Sequence, residues 1–276
     1  MTAARTLLPL APAALALSIS GCHAALEPTA RDRHNSFALQ RAAFRGDTVQ
    51  ATLQTYLVIG AGAAVAPPTL DRGTGSLRVA AAAPGAYAQG LAVGVDPSGY
   101  LLTARHILRE RTYVVGWMNG RLDILPGRVV AAGPPGKPAG DIALIAVDAT
   151  LDFCARFGAP PARGDTVFAV VCDHSPGGIG GELGMAAGTV LGAAAPGAGR
   201  PLIATDVPLW YGDSGGPLLS AGGELVGLNS AIHFAWAEGG QVVGDYVRYS
   251  CPADGARTVR VIAEDRAARG PPAAAR

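Results

Sequence analysis

The chain has 276 residues and a formal net charge of +1, from 22 Lys and Arg against 21 Asp and Glu. That balance leaves no basic footprint for nucleic acid and no polybasic surface for lipid headgroups. Charged residues are only 16% of the chain and hydrophobic ones 49%, while 38 Gly and 21 Pro imply many turns, a composition that favours an all-β fold of short strands.

At the N-terminus, Arg5 is followed by a mostly apolar run from Leu7 to Leu17 and then by Ser18-Ile19-Ser20-Gly21-Cys22. This is the layout of a secretory signal peptide over residues 1–21, and it is too short to span a bilayer as a helix. Ile19-Ser20-Gly21-Cys22 resembles the bacterial lipoprotein box, which implies a lipid on Cys22 and a mature chain that begins there. An ordinary leader cut near His23-Ala24-Ala25 is the alternative, and both imply export to the cell envelope. No later apolar run reaches 18 residues, so any membrane link is expected through Cys22.

Residues 22–50 are polar, Arg-rich and mixed in charge, and read as a tether with a short helix over Ser36 to Phe44. The domain proper, 51–276, starts with a strand from Thr52 to Ile59. Short β-branched or apolar runs then recur between turn residues at 76–82, 90–95, 101–104, 113–118, 122–125, 128–132 and 142–147. A second set follows at 165–171, 188–191, 202–205, 217–220, 224–230 and 241–250, and Thr258 to Ala268 reads as a terminal helix. If Cys22 carries lipid, Cys154, Cys172 and Cys251 remain, enough for one disulfide at most or for three free buried thiols. Cys172-Asp173-His174 is no metal site, because adjacent strand residues point to opposite faces, and no cofactor is implied.

The chemistry concentrates in Trp210-Tyr211-Gly212-Asp213-Ser214-Gly215-Gly216-Pro217, where a hydroxyl sits among glycines able to take positive φ and to aim successive N–H groups at one point. A serine needs a base and a group that orients the base. Of the five histidines, His106 stands out, because it closes Tyr100-Leu101-Leu102-Thr103-Ala104-Arg105-His106 beyond the turn Asp96-Pro97-Ser98-Gly99. Asp141 opens the apolar run Ile142 to Val147 and supplies a carboxylate.

Thr103-Ala104-Arg105-His106, Asp141-Ile142-Ala143-Leu144 and Gly212 to Pro217, in that order, resemble the trypsin-like (chymotrypsin-fold) serine peptidases. An α/β-hydrolase would place its acid and then its histidine after the serine, an order absent here. Thr205-Asp206 and Glu224 to Ile232 look like the bacterial Deg/HtrA-type peptidases, and Gly244-Asp245-Tyr246-Val247-Arg248 looks more trypsin-like. The resemblance covers about 88–248 and implies two six-stranded antiparallel β-barrels with a short C-terminal helix. With 62 residues after Ser214, no PDZ module is expected.

By the same resemblance Ser214 is the nucleophile, His106 the general base and acid, and Asp141 the orienting carboxylate. Gly212 and Ser214 supply the oxyanion-hole N–H groups, and Ser230 supports the aspartate. Pro208 would floor a neutral primary pocket walled by Ser230, Ala231, Ile232 and Gly244. The expected substrates are proteins or peptides; a peptide-binding protein of the same fold without turnover is the other class of function, and oligomeric state stays open.

Overall fold

Short apolar runs punctuated by Gly, Pro and Asp cannot each bury two faces alone, and here they do so by closing into barrels. The computed structural model describes residues 30–79, 86–134, 140–174, 181–194, 201–236 and 242–269, with backbone alone for 231–236 and 242–246. The first closed barrel has the order β1-β4-β5-β8-β7-β6. Its strands are β1 (Thr55–Ala61), β4 (Tyr87–Asp96), β5 (Tyr100–Thr103), β6 (Arg111–Met118), β7 (Arg121–Ala132) and β8 (Ala143–Ala146). The second, in the order β10-β11-β14-β13-β12-β9, uses β9 (Thr166–His174), β10 (Gly181–Ala194), β11 (Leu202–Thr205), β12 (Pro217–Leu219), β13 (Leu225–Trp236) and β14 (Val242–Pro252). All neighbours within both barrels are antiparallel, and a separate small hairpin pairs β2 (Thr69–Asp71) with β3 (Ser76–Arg78).

Alternation along the strands divides the core. On β9, Val167, Ala169 and Val171 fill the second barrel, while Phe168 and Val170 point the other way into a cluster shared with the first barrel. On β5 and β8, Leu101 and Ile145 fill the first barrel, whereas Tyr100, Leu102, Leu144 and Ala146 join the shared cluster. Strands buried on both faces must be apolar throughout, which is why these runs show no polar alternation in the sequence. The segments 122–125 and 128–132, expected as two strands, form the single strand β7. Its first part pairs with β6 and its last part, from Arg128, with β8, so Pro126 sits where β7 has one neighbour and its missing N–H breaks no second ladder.

The tether expected over 22–50 is corrected from Ala30 onward. Helix α1 (Ala30–Gln40), a 3₁₀ turn (Arg41–Ala43) and helix α2 (Thr48–Leu53) form an arm folded onto the barrels. Arg33, Ser36, Phe37 and Gln40 recur at the i, i+3, i+4, i+7 spacing of one helix face. Phe37 meets Phe168 edge-on at 6.2 Å and Phe44 meets the same ring at 4.8 Å. The Asp47 side chain caps α2 by accepting from the N–H of Val49 (2.8 Å) and Gln50 (3.2 Å), so the first strand starts three residues later than expected.

The terminal helix, α3 (Gly255–Arg269), is slightly longer than the sequence implied and covers the first barrel. Asp265 ties it down, accepting from the Tyr100 hydroxyl at 2.8 Å and from Arg128 at 3.0 and 2.7 Å. Among the described residues no helix is long and apolar enough to cross a membrane.

Candidate active site

His106 is delivered by a break in regular structure. Strand β5 ends at Thr103, and a 3₁₀ turn over Arg105–Ile107 carries the imidazole, half exposed, to the edge of the barrel while Ile107 is buried beside it. Asp141 lies two residues before β8. Its Oδ1 accepts from the His106 N–H at 2.9 Å and its Oδ2 contacts His106 Nδ1 at 2.7 Å, so both the backbone and the ring are fixed by one carboxylate. Ser230, on β13 of the other barrel, donates its Oγ proton to the same Oδ2 at 2.6 Å. Burial alone would raise the Asp141 carboxyl, but the hydrogen bonds from His106 and Ser230 outweigh it and hold the group below the usual carboxylate range.

Ser214 sits on a loop pinned in three directions. Its carbonyl accepts from Leu91 N–H on β4 at 2.7 Å, and the N–H of Gly215 donates to Asn229 O on β13 at 2.7 Å. Gly215 has φ of +81°, and a Cβ there would lie 2.1 Å from Leu91 O, so the close approach of the two barrels at the nucleophile admits only glycine. Just upstream, the N–H of Asp213 donates to Trp210 O at 3.1 Å, closing a turn whose third residue, Gly212, has φ of +94°, as a type II turn requires.

A cleft of about 260 Å³ joins these parts, lined by His106, Leu209, Trp210, Tyr211, Asp213, Ser214, Asn229 and Ser230. Four segments thus bring His106, Asp141, Ser214 and Ser230 into one site across the barrel junction. Such an arrangement can orient an imidazole tautomer beside a hydroxyl and stabilise the cation formed when the ring takes a proton. Pro208 is absent from this lining, and its place is taken by the buried Leu209 and by Trp210. The backbones of Ala231 and Ile232 pair with Tyr249 and Arg248, and Gly244 lies within β14, but the side chains of 231–246 lie outside those described, as does Cys22.

Cys154, Cys172 and Cys251 are not joined in disulfides. Burial pushes each up to about 12, which makes them inert fillers.

The Trypsin-like peptidase domain family matches residues 89–228, a span that holds His106, Asp141 and Ser214 and ends just short of Ser230. The chain belongs to the trypsin-like peptidase family. A DegP-like periplasmic serine endoprotease of Pseudomonas fluorescens is 29% identical over 151 residues, 53% of this chain and 30% of that protein. The serine protease HhoA of Synechocystis is 30% identical over 159 residues, covering 52% of this chain and 37% of its own length. The chain therefore spans about a third of the length of the curated relatives it matches. Among solved structures, the HtrA-type protease AlgW with a tripeptide aligns with a TM-score of 0.54 at 19% identity, over 79% of this chain and 64% of that one. The serine endoprotease from Yersinia pestis aligns with a TM-score of 0.51 at 20% identity, over 79% and 67%. These likenesses support the two-barrel fold.

The sequence reading missed Arg33, buried beside the nucleophile loop, and gave no role to Asp213, although Asp213 stood inside the quoted motif. The signal for Arg33 was its place on the same helical face as Phe37 and Gln40.

Proposed function

We propose that this trypsin-like peptidase is an exported serine endopeptidase, cleaving peptide bonds through an acyl-enzyme. Ser214 Oγ attacks the scissile carbonyl and His106 takes its proton. The negative oxygen then rests against the N–H groups of Gly212 and Ser214. His106 returns the proton to the leaving amine, and water repeats the sequence to release the acid. Asp141 holds His106 with Nδ1 protonated and balances the transient imidazolium, with Ser230 holding Asp141 from the other barrel. The observation that carries this reading is the doubly held Asp141–His106 pair opening onto the cleft that contains Ser214.

The leader over 1–21 and lipidation at Cys22 belong to the same reading, upstream of the arm described from Ala30. DegP-like relatives described as periplasmic support an envelope location. The primary pocket takes small or medium uncharged side chains. Leu209 and Trp210 line the cleft, and the Asp213 carboxylate is buried and engaged by Arg33, so it offers no free charge to a cationic side chain.

A fluorophosphonate probe tests the chemistry directly. The wild-type chain is expected to label at Ser214 and to cleave peptides, and Ser214→Ala to do neither while remaining folded. A folded wild type that binds peptides without labelling would make this a binding protein instead.

A further inference from the structure

The residue before the nucleophile is held from the opposite end of the chain. The Asp213 carboxylate, 1% exposed, accepts from Cys172 N–H at 2.9 Å and from Trp210 N–H at 2.7 Å. Arg33 Nη1 donates to both of its oxygens, at 3.1 and 3.0 Å, across 180 positions of sequence. Arg33 is itself 4% exposed, and α1 is seated by the Ala187 N–H donating to Ser36 Oγ at 3.3 Å and by the Phe37–Phe168 contact. Asp173 stands 3.9 Å from the same guanidinium nitrogen.

The pair bears on one peptide plane. In the Trp210–Asp213 turn, the peptide between Tyr211 and Gly212 carries the Gly212 N–H. A type II turn becomes type I by flipping that plane, which reverses the N–H and puts a carbonyl in its place. The type II form seen here keeps φ of Gly212 at +94°. Asp213 spans the turn, bonded through its side chain to Trp210 N–H and through its own N–H to Trp210 O, so release of the carboxylate frees the plane to flip. Burial pushes the Asp213 carboxyl up to about 6 even with Arg33 and two N–H donors opposing it, and Arg33 is therefore a main support of its charged form at neutral pH.

We propose that Arg33 is a positioning residue for catalysis: by pinning Asp213 it locks the oxyanion turn, and the N-terminal arm is thereby a working part of the active site. The proposal rests on reading Ser214 as the nucleophile. The test uses the full chain, comparing wild type, Arg33→Met and the double variant Arg33→Met/Asp213→Asn in peptide cleavage, fluorophosphonate labelling rate and thermal unfolding. Arg33→Met is expected to lose about 100-fold in kcat with KM little changed, and to slow labelling in parallel, as loss of an oxyanion donor does. The double variant leaves no lone buried charge; it is expected to regain melting temperature but not kcat. Wild-type kcat in either folded variant, with the loss confined to melting temperature, would reduce Arg33 to an anchor and overturn the proposal while the wild type still labels at Ser214. A wild type that does not label at all would overturn the nucleophile reading and this one with it.

Discussion

Two carboxylates at the junction of the barrels meet opposite fates. Asp141, half surrounded by donors, is kept charged; Asp213, sealed in the interior, is pushed toward the neutral form. At Asp141 the consequence is catalytic. Asp141→Asn keeps the shape but favours the wrong imidazole tautomer, and kcat is expected to fall by about 10⁴ while the chain stays folded, measurable by steady-state cleavage beside circular dichroism. At Asp213 the consequence is a slope in stability. The folded carboxyl, near 6 against about 4 when unfolded, binds a proton more readily than the unfolded one, so stability falls as pH rises from about 4 to about 6, by on the order of 3 kcal/mol. Urea midpoints across that window should show this decline in wild type and its loss in Asp213→Asn, whatever that variant's absolute stability. Asp141 contributes with the opposite sign and at lower pH, since its stabilisation is complete above the unfolded carboxylate value and disappears only as pH falls through the depressed folded one. Cleavage runs against the Asp213 slope, because the charged clamp forms as pH rises through the same window.

At the scale of elements, α3 acts as a strap across the first barrel, with Ile262 buried in the shared cluster and Asp265 gathering Tyr100, Arg128 and Arg269. Ile262→Ala is expected to cost 2 to 5 kcal/mol, of the order seen for buried aliphatic truncations, while leaving kcat per folded molecule intact; chemical denaturation and active-site titration would check the two halves. The strands were legible because runs such as Val167 to Val171 are buried on both faces and bounded by turn residues. So were His106, Asp141 and Ser214 as candidates, each carried by a local motif, and the fold brings them to one cleft. The arm was not legible. Its inward face holds Arg33, Ser36 and Gln40 around a single phenylalanine, and a helix with so polar a face reads as solvated until its partners, Asp213 and Phe168, are known. The pocket was less legible for a related reason: counting back from Ser214 fixes a position along the chain, whereas contact with the cleft is decided by the fold, and Leu209 and Trp210 line it.

For the whole molecule, the junction between the barrels is the functional unit. Ser230 reaches from the second barrel to Asp141 of the first, and Leu91 of the first holds Ser214 of the second. From Ala30, the first described residue, the eight residue steps back to Cys22 can span at most about 28 Å. With the proposed lipid on Cys22, native protein is expected to enter the detergent phase and Cys22→Ser to stay aqueous or unprocessed; an aqueous wild type that begins beyond Cys22 would replace anchoring with plain secretion. The pairing of Arg33 with Asp213 also orders assembly in time. The arm is synthesised before the barrels, and Arg33 waits through 180 residues for its partner. Contacts so distant in sequence close late and slowly, after the barrels that frame them. If the proposed activity holds, a nascent chain gains it only after both barrels have closed, and its half-made neighbours are safe from it until then.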